Sequence, residues 1–211
     1  HNFLELHYLK EFFPGYLWIF PLPNGAANVG AGMRTDKISE NRVNLKKELD
    51  RILKEHPRFK DRFKNAKLDG KVVGFPLPLG SKKRQISGKN FMLIGDAAAL
   101  IDPLTGEGIG NATISGIFAA EQAKKCLEAN DFSAETMANY DKAVYHKLWK
   151  ELQISHRLQR AFQRRWLLSA VSGIAVKNKQ LAEIITSIFA NVDLKKMFKN
   201  PFFVFKVIFN R

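Results

Sequence analysis

The chain has 211 residues, 45% hydrophobic and 26% charged, with a formal charge of +14. That hydrophobic share excludes bulk disorder, no apolar run reaches the about 18–20 residues of a membrane span, and one cysteine, Cys126, excludes an internal disulfide or a cysteine-rich zinc site. The basic excess suits an acidic membrane surface or an anionic cofactor, and without a zinc finger, RNA-recognition strand motif or basic zipper nucleic acid is not an expected partner.

In chain order, Phe3–Leu9 alternates and reads as a strand. It is entered from His1 without a signal-peptide pattern, so the chain is expected to start inside a longer protein. Tyr16–Phe20 reads as a second strand, Pro23-Asn24-Gly25 as a turn and Ala27–Met33 as a returning strand, together an antiparallel hairpin. Leu45, Leu49, Ile52 and Leu53 recur at helical spacing and predict one helix over Ile38–Glu55, stopped by Pro57. Lys71–Phe75 predicts a short strand broken by Pro76 and Pro78. Asn90–Gly95, with its Phe-Met-Leu-Ile run, predicts a buried strand of a parallel or mixed sheet.

A glycine-rich loop, Asp96–Gly110, then leads into a helix ending near Ala129, with Ile114, Ile117, Phe118 and Ala120 on its apolar side. Cys126 within it reads as a packing residue. From Ser133 the sequence is helical almost to its end. Trp149, Leu152, Leu158, Phe162 and Leu167 form its apolar stripe, with Arg157, Arg160, Arg164 and Arg165 between them. The tail Pro201–Phe209 is rich in phenylalanine.

The chemistry concentrates in Gly95-Asp96-Ala97-Ala98-Ala99-Leu100-Ile101-Asp102-Pro103-Leu104-Thr105-Gly106-Glu107-Gly108-Ile109-Gly110-Asn111. Ligands of open α/β sheets bind beyond the carboxyl ends of strands, where Asp96 stands. A carboxylate there accepts hydrogen bonds from a chain of hydroxyls. Gly106, Gly108 and Gly110 let backbone approach a flat ligand, and the next helix aims its free N–H groups at the crevice. That helix start favours negative charge by about 0.3–1 kcal/mol. Residue by residue, a plain strand-to-helix connection stays an equal reading.

Taken together, Gly95-Asp96-Ala97-Ala98 and Asp102-Pro103-Leu104-Thr105-Gly106-Glu107-Gly108-Ile109 resemble the second FAD-binding motif of the p-hydroxybenzoate-hydroxylase-like (PHBH-like) flavoproteins. The resemblance implies that Gly95 and Asp96 hold the ribityl chain. It implies that Pro103, Thr105, Gly106, Glu107, Gly108 and Ile109 line the flavin, with Asn111 just inside the helix. A second stretch narrows the family. Tyr16-Leu17-Trp18-Ile19-Phe20-Pro21, followed by Gly30-Ala31-Gly32, resembles the Tyr-x-Trp-x-Phe-Pro and Gly-x-Gly motif of the geranylgeranyl reductases. In that family the motif lines the substrate cavity, which implicates Tyr16, Trp18, Phe20, Pro21, Gly30 and Gly32. On a strand the three aromatics share one face, a flat wall suited to an isoprenoid chain. Filling of a sheet–helix core is the competing reading.

The resemblance covers about Phe13–Ala129. It implies a mixed α+β and α/β architecture, part of a PHBH-like FAD-binding fold with an antiparallel substrate-domain sheet and a helical C-terminal region. Residues 1–85 belong to the substrate-binding domain, 86–130 to the FAD-binding domain and 131–211 to the helical region. The Gly-x-Gly-x-x-Gly βαβ unit of such enzymes is missing, so this chain is expected to hold FAD weakly or not at all, and to need the N-terminal half of its own protein.

The implied activity is reduction of carbon–carbon double bonds of prenyl lipids by an oxidoreductase using FAD, with NAD(P)H or another reductant as electron source and no metal. The fragment alone is expected to be inactive. The proton donor stays open: His7 reads as structural, and Glu107 as a cap for the helix start. A cytoplasmic location with peripheral membrane contact through Arg157–Arg165 and the Phe-rich tail is expected. The alternatives are an FAD-dependent aromatic monooxygenase or halogenase-like enzyme, and a non-catalytic lipid- or partner-binding domain.

Overall fold

The computed structural model describes residues 3–164 and, singly, 166, 169 and 173. It is an α+β chain with small antiparallel sheets, dividing into two compact units, His1–Pro76 and Leu77–Arg211. The division precedes the boundary expected after residue 85. Segment 77–85 belongs with the second unit: Gly80 N–H donates to Ile101 O at 2.8 Å, and Arg84 N–H to the Tyr145 hydroxyl at 2.9 Å. The loop region and the helical region, expected as separate domains, also pack as one unit.

The first unit is a three-stranded antiparallel sheet, β1 (Glu5–His7), β2 (Tyr16–Pro21) and β3 (Ala27–Gly32), with β2 central. The turn between β2 and β3 puts Asn24 and Gly25 at φ 61° and 75°, a left-handed conformation that asparagine and glycine tolerate best. Alternation along β2 sends Leu17 and Ile19 into the core, where they join Phe12, Leu49, Ile52 and Phe59. Each such buried side chain contributes about 1.5–3 kcal/mol.

Leu49 and Ile52 come from α2 (Leu45–Glu55). The single helix expected over Ile38–Glu55 is in fact two, α1 (Thr35–Glu40) and α2. The break has a local cause. Arg42 adopts φ 50°, and the Asn44 side chain accepts from Lys47 N–H at 3.0 Å, starting a new helix rather than continuing the old one. A short helix, α3 (Lys60–Phe63), comes next. The strand expected at Lys71–Phe75 does not form: the segment is exposed, with Phe75 82% accessible, and alternation without a ladder partner does not make a strand.

The second unit begins with a hairpin, β4 (Ser87–Gly88) and β5 (Phe91–Met92). Asn90–Gly95 is therefore not a buried strand of a parallel sheet. Only two of its residues are in a strand, antiparallel to β4, and Phe91, Leu93 and Ile94 are exposed. A run this apolar is buried only when layers cover both faces. Here the helix that carries Tyr140 holds one side, the tyrosine hydroxyl donating to Leu93 O at 2.6 Å. Two helices complete the unit, α4 (Ile109–Ala129) and α5 (Ala134–Phe162). Their connection ends α4 on Asn130 at φ 46° and starts α5 on Ser133, whose hydroxyl accepts from Thr136 N–H.

Ile86, Ala98, Leu100, Tyr140, Val144, Leu148 and Leu152 form the second core, with Ile114, Phe118 and Ala119 packed against it. Ile117 and Ala120, expected on the apolar side of α4, are exposed instead. Cys126 is buried against Gln122 and Met137, a packing position. Leu167, Arg165 and the tail Pro201–Phe209 lie outside the described residues.

Candidate active site

In the first unit, the register of β2 on β3 sets Trp18 opposite Gly30, Tyr16 opposite Gly32 and Phe20 opposite Asn28. With Leu17 and Ile19 taking the core side, Tyr16, Trp18 and Phe20 stand on the other face and do not fill the sheet–helix core. Their rings form a ladder: Tyr16 to Trp18 and Trp18 to Phe20 are each 6.3 Å between centroids. The indole rests directly on Gly30, where an added Cβ would come within 2.1 Å of its Cζ2. Trp18 Nε1–H donates to Asn28 Oδ1 at 2.8 Å, fixing the ring's tilt. Pro21 ends the strand opposite Ala27.

Tyr8 adds a fourth ring, 5.9 Å from Tyr16. Desolvation, with Tyr16 beside it, pushes its hydroxyl above the ordinary tyrosine range although the residue as a whole is half exposed. The sequence places Tyr8 inside the expected strand Phe3–Leu9, with nothing local to set it beside Tyr16. The hairpin register, which brings the end of β1 toward Tyr16, was the signal available. His7 sits on the core side, edge-on to Phe59 at 4.9 Å and 3.0 Å from Glu5 Oε2, which also accepts from Arg62 at 2.8 Å. These contacts make it a structural histidine. The Arg62 guanidinium, and after it His7, hold the Glu5 carboxyl below the usual carboxylate range against the opposing effect of burial.

In the second unit, Gly95–Ala98 makes one turn of 3-10 helix, and the chain reverses through Ala99 at φ 52°. Gly95 is at φ 52° with α4 directly behind it: an added Cβ would lie 2.8 Å from Ala112 Cβ. Its N–H donates to Ser115 Oγ at 3.0 Å. This pins the start of the loop to the first turns of α4. Asp96 is exposed, and its Oδ1 is so near Gly108 that a Cβ there would approach it to 2.9 Å. The carboxylate and the N-cap of α4 therefore meet at one point. No side chain caps α4, so its first N–H groups stay available, and Glu107 does not serve as the expected cap. Ile109 and Gly110 are exposed beside them.

The rest of the loop is held from within by Asp102, 8% accessible. Its Oδ1 accepts from Leu104 N–H and Thr105 N–H, both at 2.9 Å, and from the Thr105 hydroxyl at 3.2 Å. Its Oδ2 accepts from the Ser155 hydroxyl at 2.5 Å, tying the loop to α5. Gln159 donates to Pro103 O at 2.6 Å, and Asn111 to Leu100 O at 2.7 Å. Pro103 and Thr105 are thus buried, with the Thr105 side chain on Asp102 and with the Pro103 carbonyl and the Thr105 N–H already bonded within the unit. Gly106, at φ 75°, Glu107, Gly108 and Ile109 form the accessible rim. Asp102 was seen in the sequence only as part of a motif. A buried aspartate two and three residues before the N–H groups it binds is an Asx turn, which its Pro-Leu-Thr-Gly context signals.

Such a corner offers an acceptor carboxylate, bare backbone and free N–H donors side by side. Among the described residues no cluster of three metal-ligating side chains occurs, and no helix is long and apolar enough to cross a membrane.

Comparison with known proteins gives three findings. Residues 1–72 match the family model described as the geranylgeranyl reductase catalytic domain. A digeranylgeranylglycerophospholipid reductase of Thermoplasma volcanium is 38% identical over 161 residues, 76% of this chain and 37% of that protein. Its counterpart in Methanocaldococcus jannaschii is 34% identical over 202 residues, 94% of this chain and 47% of that protein. Among solved structures, a geranylgeranyl bacteriochlorophyll reductase-like protein from Thermoplasma acidophilum superposes with a TM-score of 0.70 at 29% identity, over 93% of this chain and 50% of that one. The chain thus spans between about a third and a half of the length of these relatives.

Proposed function

Because the chain belongs to the geranylgeranyl reductase family, we propose that it is the flavin-loop and substrate-wall portion of an FAD-dependent reductase of prenyl-lipid double bonds, in a PHBH-like fold. The observation that carries this reading is the meeting of Asp96 with the uncapped start of α4 at Gly108. A flavin fits that corner. The exposed carboxylate matches the hydroxyls of a ribityl chain, the side-chain-free rim at Gly106 and Gly108 admits a flat ring, and the N–H groups of α4 favour negative charge there.

When bound, FAD supplies the hydride for such a reduction, and NAD(P)H or another reductant restores it. The chain's own part is positioning. Asp96 would hold the hydroxyl chain from the turn that Gly95 pins to α4, and the rim Gly106–Ile109 would form the ring's edge. Asn111 fixes the loop through Leu100 O. Tyr16, Trp18 and Phe20, with Gly30 and Gly32 opposite, offer an apolar wall suited to an extended isoprenoid chain. Tyr8 and Tyr16 put two hydroxyls on that otherwise apolar wall.

The relatives' names speak of a lipid substrate, and a peripheral membrane contact follows from it for this protein. The test is anaerobic incubation of the full-length protein that carries this chain with reduced FAD and a geranylgeranyl glycerolipid, read by mass spectrometry. The expected product gains two hydrogens for each double bond saturated. An oxygen-containing product formed only in air would replace this reading with a monooxygenase.

A further inference from the structure

α5 carries a surface that the flavin loop and the aromatic wall do not use. Lys142, His146, Lys150, Arg157 and Arg160 succeed one another at i, i+4, i+8, i+15 and i+18, and all are exposed. At about 100° per residue these positions share one arc of about 80°, and at 1.5 Å per residue the row is about 27 Å long. Arg164, exposed just past the last turn, continues it. The buried stripe of Met137, Val144, Leu148 and Leu152 lies on the far side.

Among the described residues the row meets little counter-charge, Glu135 lying on its arc seven residues before Lys142. From Asn139 to Arg164 the carboxylates are Asp141 and Glu151. Asp141 accepts from Ile86 N–H on the packed side, and Glu151 stands about 180° around the helix from Lys142. Among the described residues, no ion pair involves any member of the row. Beside it lies the half-buried indole of Trp149, with the Lys83 ammonium 5.5 Å from its centroid. Lys142, Lys150, Arg157 and Arg160, in line and flanked by an indole, suit a planar anionic surface, where indoles settle at headgroup level.

We propose that this face of α5 docks the protein onto an anionic lipid surface. The choice of lipid over nucleic acid rests on the prenyl-lipid reading above; the cationic row does not.

The experiment is co-sedimentation with phosphatidylcholine vesicles prepared with and without phosphatidylglycerol. Binding is expected only with phosphatidylglycerol, and added salt should reverse it. At about fivefold for each cation near the surface, the triple variant Arg157→Gln, Arg160→Gln, Arg164→Gln should partition about a hundredfold more weakly. An equal loss of charge elsewhere, Lys46→Gln, Lys47→Gln, Lys64→Gln, should change partitioning little. All six side chains are exposed, so both variants keep the folded core. Equal weakening by both triples, or no dependence on phosphatidylglycerol, overturns the proposal. So does binding of duplex DNA, sensitive to the arginine triple, in place of vesicle binding. Flavin titration of the same samples reports on the reductase reading separately, because the row lies outside the loop.

Discussion

The first unit builds its functional surface from side chains and the second builds its own from backbone. On β2 the same alternation that buries Leu17 and Ile19 presents Tyr16, Trp18 and Phe20 on the opposite face, so the wall is a by-product of a well-made core. In the loop from Gly95 to Asn111, most polar side chains point inward. Asp102, Thr105 and Asn111 are spent holding the chain in shape, and what faces outward is Asp96, the rim Gly106–Ile109 with the Glu107 and Ile109 side chains, and the N–H groups of α4. The two designs are fragile in different ways. Damage to the wall should be local and graded, whereas damage to the loop's internal anchor should unmake the surface as a whole.

The anchor should therefore be the costliest residue to lose. Asp102→Ala leaves the donors of Leu104, Thr105 and Ser155 without their acceptor. Hydrogen bonds to a buried charged group are worth about 1.5–3 kcal/mol each and do not add fully, so a loss of at least about 3 kcal/mol is expected in urea unfolding. Asp102→Asn, which keeps one carbonyl oxygen, should lose about half as much. A loss below about 1 kcal/mol for the alanine variant would mean the loop is held by something other than Asp102.

Next comes the wall. Gly30→Ala inserts a methyl group where the Trp18 ring lies and must push it aside. Overpacking of this kind costs about 1–3 kcal/mol, and the displaced indole should shift its emission. Unchanged emission would show that the indole does not rest on Gly30.

The ion pair that braces the first unit should matter least. Because Arg62 depresses the Glu5 carboxyl, its stabilisation is fully present above the unfolded carboxylate pKa and is lost as pH falls through the lower folded value. Both partners are partly exposed, so Glu5→Gln should cost only about 0.2–1 kcal/mol at neutral pH. The gap between variant and parent should close in acid. A gap that persists there would point to packing rather than charge.

Much of this was legible in the sequence, for reasons that differ between the units. The hairpin, its turn and its aromatic face follow from a period of two and from Asn24-Gly25, both local. The end of α4 at Ala129 was legible, while its start lies at Ile109, inside the glycine-rich loop expected to run to Gly110. The break at Arg42–Asn44 was missed because the apolar period runs through it, while the cap that causes it is a single side chain. The run Asn90–Gly95 misled because four apolar residues in a row fit a buried strand. Burial depends on neighbours that the run itself does not name. Pro103 and Thr105 were expected at the ligand, but the network that turns them inward needs Ser155 and Gln159, more than 50 residues away. Local pattern gave the motif; only the tertiary contacts separate the residues that face a ligand from those that hold the loop.

Whether Asp96 and the first turn of α4 receive one flavin is decided by titrating the protein with riboflavin 5′-phosphate and following the quenching of flavin fluorescence, for the parent and for Asp96→Ala. Asp96 is exposed and outside the Asp102 network, so its removal should leave the fold intact. Loss of a charged hydrogen-bond acceptor, about 1.5–3 kcal/mol, predicts affinity at least about tenfold weaker. Equal affinity for the two proteins would mean that this corner is not where the flavin sits.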